Sequence, residues 1–389
     1  MQWLEGLFWS SVGVVFYAYL GYGAIVMLLS PLLARRHWIL PIMPSVTLLI
    51  AAYDEEAVIE AKLRNCLALD YPRSKLDILV VTDGSSDGTY AIARRFAPQG
   101  VRVEHQDERR GKLHALQRVL PLAEGEIIVC TDANTLLNSE SLRMMMRHFG
   151  DPEVGCVAGE KRIQPGDQDV SAGEGLYWRY ESFLKRLDSR MGAVMGAAGE
   201  LLAFRRACYE PLPPDTILED FVLSMRLLQQ GFRVVYEPAA YARETASRSI
   251  ADEFKRKARI VAGGWQAVFR LRGLLWPSRP LVTFQYVSHR LLRWLVVPFL
   301  LPLLLGLNGF LAYQGGALYR TLLALQGGFY LAAAYGWLVQ RGGQRARWYY
   351  LPFYFVFMNV AALAGAWRFW TRRQAVTWEK VRRYSTPET

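Results

Sequence analysis

The chain has 389 residues, 52 % of them hydrophobic, with 46 Lys and Arg against 35 Asp and Glu and a formal net charge of +11. An ordinary soluble protein carries fewer apolar residues, so part of the chain must lie in lipid. The surplus cations gather near the apolar stretches, which speaks for anionic headgroups and against nucleic acid as a partner.

From Gly6 to Ala34 there is no Asp, Glu, Lys or Arg, and roughly 20 apolar residues cross a bilayer. The stretch is too long for a signal-peptide core, and no small-residue cleavage pattern follows it. Residues 1–36 therefore predict a transmembrane anchor. Arg35, Arg36 and His37 follow it while only Glu5 precedes it, so the positive-inside rule places the next segment in the cytoplasm. Cys66, Cys130, Cys156 and Cys208 have no metal-ligand spacing and read as packing thiols of a reducing compartment.

Residues 45–245 have the mixed composition of a soluble domain. Short apolar runs at 46–52, 76–82, 101–104 and 126–131 alternate with helical periodicity at 57–69, 88–96 and 112–120. That alternation predicts an α/β fold with a doubly wound, mostly parallel sheet, whose strands are buried on both faces. Such sheets bind ligands beyond the carboxyl ends of their strands. Polar clusters stand at three of those ends: Tyr53-Asp54-Glu55-Glu56, Asp83-Gly84-Ser85-Ser86-Asp87 and Asp132-Ala133-Asn134.

The first cluster can simply cap a helix. In the second, glycine relieves the turn and Asp87 can cap the next helix, which leaves Asp83 without a structural task and able to accept the imide N–H of uracil. In the third, Asp132 and Asn134 offer oxygen ligands to Mg²⁺ or Mn²⁺, hard cations that also take diphosphate oxygens, unless the step is a helix N-cap. Lys112, after Gly111, can add a cation at the phosphates or be a surface lysine opening a helix. Later, Glu219 and Asp220 open an apolar helix at 221–228, where a carboxylate can cap the helix or deprotonate an attacking hydroxyl. Asp220 is assigned as base and Glu219 as its support.

Residues 250–290 alternate cations with apolar residues, as an amphipathic helix at a membrane surface does. Residues 291–370 carry three apolar stretches, 295–318, 322–339 and 349–367, and 371–389 form a basic tail. One span before the domain and three after it would put that tail outside, against the positive-inside rule. The last stretch, with Pro352 and Asn359, is the candidate for irregular, non-spanning backbone.

In order and spacing these elements resemble the membrane-anchored family 2 glycosyltransferases of GT-A fold, the group of cellulose, hyaluronan and poly-N-acetylglucosamine synthases and their non-processive relatives. The resemblance covers nearly the whole chain. It implies that Tyr53, Glu55 and Asp83 hold the nucleoside, Lys112 the diphosphate and Asp132 the metal, and that Asp220 is the base of a single inverting displacement. The segment Met195 to Arg206, with Gly199 and Glu200, is similar to the family's acceptor-lining segment; its small residues also suit a packed strand. Aromatic residues of the preceding helical stretch, Tyr177, Trp178 and Tyr180, can stack on sugar or pack in the core.

Three departures stand out: Asn134 replaces the second Asp of the metal step, Leu218 replaces the Thr before Glu219-Asp220, and Arg256-Lys257-Ala258-Arg259-Ile260 replaces a motif ending in tryptophan. The cations Arg256 and Arg259 survive; the indole platform does not. The tail Thr377–Arg382 looks like one found in several relatives.

The expected function is metal-dependent, inverting transfer from a nucleotide-diphosphate sugar, UDP-linked, to a lipid-linked or saccharide acceptor. It would take place at the inner face of the bacterial membrane, with membrane lipids as further partners. The alternatives are a processive exopolysaccharide synthase and a non-catalytic subunit of a glycan-assembly complex.

Overall fold

A computed structural model describes residues 2–164, 170–245, 249–276, 279–341 and 348–376. The tail motif Thr377–Arg382 and the side chain of Tyr177 lie outside the described residues.

One compact unit comprises Ser30–Gly166 and Gly175–Arg248. Among the described residues its sheet has eight strands: β1 (Val46–Ala52), β2 (Leu76–Asp83), β3 (Val101–Gln106), β4 (Ile127–Asp132), β5 (Thr135–Leu137), β6 (Val154–Gln164), β7 (Leu202–Arg205) and β8 (Arg233–Thr245). The order is β3-β2-β1-β4-β7-β6-β8-β5. β1 to β4 are mutually parallel, and helices Ile59–Leu67, Thr89–Arg94 and Lys112–Val119 make the crossovers. Leu48, Ile50, Ile78, Val80, Ile127 and Val129 are fully buried in one core, the expected result of covering a parallel sheet on both faces.

β7 runs antiparallel to both β4 and β6. Its first residue, Leu202, is paired with Cys130 near the end of β4. The small-residue segment that precedes β7 therefore enters at the same rim as Asp132. Cys66, Cys130 and Cys156 are buried free thiols and Cys208 is a half-buried one; burial pushes Cys130 up to about 12.

At the opposite end the segment after the first apolar helix is tied down. The Arg233 guanidinium donates to the carbonyls of Arg35 and Arg36 at 2.8 and 3.0 Å, and Leu40 N–H donates to Arg147 O at 3.0 Å. His37 Nε2 meets His148 Nδ1 at 2.7 Å; burial, with His148 and Arg233 nearby, depresses His37 to about 4.

The second unit comprises Met1–Leu29 and Ser249–Gln374. Helices Gln2–Leu29, Pro280–Tyr313, Ala317–Arg341 and Tyr350–Trp370 are each long and apolar enough to cross a membrane. The last is an unbroken helix, which corrects the expectation of irregular backbone there. Pro352 falls in its first turn, where the missing N–H has no helical acceptor to lose. Asn359 Nδ2 donates to Phe355 O at 2.8 Å and lies within hydrogen-bond distance of Tyr19. The irregular turns lie elsewhere, as π-helix at Tyr17–Gly21 and Val287–Val296, where Arg293 Nε donates to Ala18 O at 3.0 Å.

The amphipathic segment forms helix Ile250–Arg270, capped by Ser249, whose hydroxyl accepts the Asp252 N–H at 3.1 Å. Its small-residue face packs on the last helix. A Cβ on Gly365 would stand 2.5 Å from Ala258 O, so the two backbones nearly touch. Trp265 and Phe269 stack on Phe369 beside that contact.

Candidate active site

The loops after β1 and β2 are stitched together. Asp54 Oδ1 accepts the Ser86 N–H at 2.7 Å, Glu55 N–H donates to Thr89 Oγ1 at 2.7 Å, and Gly88 N–H donates to Glu56 Oε2 at 2.8 Å. Asp87 Oδ1 accepts the Thr89 N–H at 3.0 Å, closing the turn that leads into helix Thr89–Arg94, whose N-cap is Gly88 rather than the Asp87 read from sequence. Tyr53, Glu55 and Asp83 thus share one side of the rim.

Asp83 has a structural task after all. Nearly fully buried, it accepts the Arg110 N–H on Oδ1 at 3.0 Å and the Gly111 N–H on Oδ2 at 2.6 Å. The loop it anchors crosses close above the turn because residue 84 is glycine at φ 65°; a Cβ there would stand 2.6 Å from Arg109 N. In the same loop the Arg109 guanidinium lies 3.8 Å from the centroid of the Tyr53 ring, a cation–π stack.

Lys112 opens the next helix, and its Nζ stands 2.6 Å from Asp132 Oδ1 and 3.2 Å from Glu219 Oε1. Glu219 and Asp220 form the first turn of helix Glu219–Gln229. Gly199 completes the group: a Cβ on it would lie 3.0 Å from Lys112 Nζ and 3.2 Å from Asp220 Oδ2. The structure therefore brings Lys112, Asp132, Gly199, Glu219 and Asp220 together from four separate segments.

Burial works against the Lys112 charge, but Asp132, Glu219 and Asp220 outweigh it and hold the ammonium well above its usual value. Asp220 goes the opposite way for a carboxyl. Burial and repulsion from Glu219 push it up to about 7, against the pull of Lys112. A half-buried carboxyl poised near neutrality is suited to accepting a proton.

Three neighbours were not singled out in the sequence. Lys62 is fully buried beneath the end of β4, donating to Thr131 Oγ1 and Thr135 O at 2.8 Å each, and so braces the turn carrying Asp132 and Asn134. Its signal was a lysine on the apolar stripe of Ile59, Leu63 and Cys66. Lys161 pairs with both Glu200 and Glu244, so the Glu200 carboxylate is engaged by a buried ammonium. Arg109 was hidden in a charged loop. Arg256 and Arg259 belong to the unit of apolar helices, where Arg256 pairs with Glu253 at 2.7 Å.

Asp132 and Asn134 offer only oxygen donors. Magnesium is commonly held by one or two carboxylates plus substrate phosphates, so this pair fits a hard divalent cation with a diphosphate completing its shell. Among the described residues, no three His, Cys, Asp or Glu are placed to hold an ion by themselves.

The family model described as glycosyltransferase-like family 2 matches residues 44–263. The poly-beta-1,6-N-acetyl-D-glucosamine synthase of Staphylococcus aureus is 30 % identical over 237 residues, 59 % of this chain and 56 % of that protein. The protein of the same name from Staphylococcus epidermidis is 27 % identical over 233 residues, 58 % of this chain and 56 % of that one. The match thus spans little more than half the length of these relatives. Among solved structures, a mannosyltransferase from Pyrobaculum calidifontis, in complex with GDP-mannose and Mn²⁺, has a TM-score of 0.74 and 24 % identity, covering 95 % of this chain and 100 % of that one. At that identity the likeness carries the fold.

Proposed function

Because the chain belongs to the family 2 glycosyltransferases, we propose that it transfers a sugar, with inversion, from a UDP-linked donor to a lipid-linked or saccharide acceptor at the inner face of the bacterial membrane. The observation that carries this reading is Asp220, pushed up to about 7 beside the Lys112–Asp132 pair.

In this reading Tyr53, Glu55 and Asp83 bind the nucleoside, and Arg109 yields the Tyr53 ring to the base. Lys112 turns part of its charge from Asp132 and Glu219 to the diphosphate. A divalent cation on Asp132 and Asn134, Mg²⁺ or Mn²⁺, would neutralise the departing diphosphate as a Lewis acid. Asp220 takes the proton of an acceptor hydroxyl as its oxygen bonds to the anomeric carbon and the bond to the diphosphate breaks. One base and one displacement give inversion. Gly199 and Glu200 line the acceptor side, and Arg256 and Arg259 are held as further cations for acceptor or diphosphate. Arg35 and Arg36, directly after the first apolar helix, support a cytoplasmic site, and a chain with four membrane-length apolar helices among its described residues suits an acceptor drawn from the membrane.

A processive exopolysaccharide synthase is the second reading, favoured by the name its curated relatives carry. Product length separates the two, since a ladder of long chains supports processivity and a single added sugar excludes it. The first test of the reading is nucleotide release by the detergent-purified protein from a panel of UDP-, GDP- and dTDP-sugars, with and without Mn²⁺ or Mg²⁺. Metal-dependent release from a UDP-sugar supports it; preferential release from another nucleotide sugar overturns the UDP assignment.

A further inference from the structure

On the outer side of the loop that Asp83 anchors lies a cavity of about 540 Å³, lined by Gln106, Glu108, Arg110, His114, Gln117 and Arg118. His114 and Arg118 are spaced four apart and share one face of helix Lys112–Val119, and Arg110 comes from the loop before it, ahead of Gly111. Their charges do not balance. Arg110 is taken by Glu108, with Nε and Nη2 at 2.9 and 2.6 Å from its Oε2. Arg118 has no such partner: its Nε and Nη2, like His114 Nδ1, have no acceptor and are closed off from solvent, which leaves Arg118 Nη1 and His114 Nε2 as the nitrogens able to meet a ligand. Burying guanidinium N–H groups without an acceptor is costly, and the lining keeps a surplus of one positive charge on Arg118.

The amides add a second recognition element. Gln117 Nε2 donates to Leu212 O at 2.8 Å and Gln106 Nε2 to Glu108 O at 2.6 Å. Both amides are thereby oriented, and their carbonyl oxygens can accept from hydroxyl groups. The volume lies within the range of small-molecule sites and exceeds what a bare ion needs.

We propose that this cavity is a second ligand site, taking a small polyhydroxylated anion, a sugar phosphate or sugar carboxylate. Its anionic end is held by Arg118 and His114, and its hydroxyls by Gln106 and Gln117. The site is separate from the Lys112–Asp132 group: Arg110 sends its backbone N–H to Asp83 and its side chain to this cavity.

Isothermal titration of the full-length protein in detergent with glucose 1-phosphate, glucuronate and inorganic phosphate tests the assignment. The expected result is saturable binding of a sugar anion, at least tenfold tighter than that of phosphate and weakened at least tenfold in Arg118→Met, which keeps the aliphatic stem. Gln106→Leu should weaken the sugar anion and leave phosphate unchanged. An anion bound beside Lys112 would survive Arg118→Met. No saturable binding to the wild type, or unchanged binding in Arg118→Met of unaltered melting temperature, overturns the proposal; equal affinity for phosphate and both sugar anions overturns the hydroxyl recognition.

Discussion

The Lys112 ammonium lies 2.6 Å from Asp132, bridging the end of β4 to the Glu219 carboxylate 3.2 Å away. One cation thereby holds together two acidic segments that repel each other. Replacing it with methionine leaves Asp132, Glu219 and Asp220 facing one another without a counter-charge. Donor binding and turnover should both fall, with kcat/KM reduced on the order of 100-fold or more, as for loss of a charged donor at a reacting phosphate. Donor titration and nucleotide-release kinetics on Lys112→Met measure the two losses.

The pH dependence follows from Asp220. A base must be deprotonated to accept a proton, so kcat/KM should rise with pH along a limb centred near 7. Glu219 is the second cause of that elevation, after burial. Glu219→Gln should therefore move the limb to lower pH while lowering the plateau. A limb that stays in place in the variant would show that Asp220 is not the group titrating.

The same shift has a consequence for stability. Folding raises the Asp220 pKa from 3.8 to about 7, so between those values the folded state binds more protons and loses stability as pH rises. Asp220→Asn should raise the melting temperature at pH 8, with a smaller gain or none at pH 4. Thermal denaturation at the two pH values reads the difference.

Asp83 is predicted to matter twice. Asparagine in its place loses one of the two carboxylate oxygens that accept the Arg110 and Gly111 N–H groups, and a buried donor left unsatisfied costs about 1–3 kcal/mol. Asp83→Asn should lower the melting temperature as well as donor affinity. A residue that only touched nucleotide would lower affinity alone.

Gly199 tests how tightly the site is built. The alanine methyl would meet Lys112 Nζ and Asp220 Oδ2 at 3.0 and 3.2 Å, both ends of side chains that can shift slightly. Gly199→Ala should keep the melting temperature within a few degrees and reduce kcat at least tenfold, since small misplacements of reacting groups are expensive in rate.

How much of this was legible follows the chemistry of each segment. β1, β2 and β4 are continuous apolar runs ended by Tyr53, Asp83 and Asp132, so both the strands and their rim could be read. β6 and β8 could not be read the same way. β6 carries Glu160-Lys161-Arg162 in its second half, and β8 contains Pro238 and pairs with β6 across a register shift at Gly159/Glu160. Arg162 is exposed, but Glu160 and Lys161 are buried, Lys161 by pairing across the sheet with Glu244, and no periodicity announces that. Asp83 seemed idle because its partners are backbone amides 27 and 28 residues on. Pro352 suggested a broken helix where it only begins one.

The measurement that bears most directly on the account is metal-supported nucleotide release by Asp220→Asn, taken beside its donor affinity. The account predicts donor affinity within about threefold of wild type and release reduced by roughly 10²–10⁴, the usual contribution of a general base. Release at the wild-type rate would contradict the assignment of Asp220; unchanged cellular glycan output in that variant, where deletion of the gene abolishes it, would instead make the chain a non-catalytic subunit.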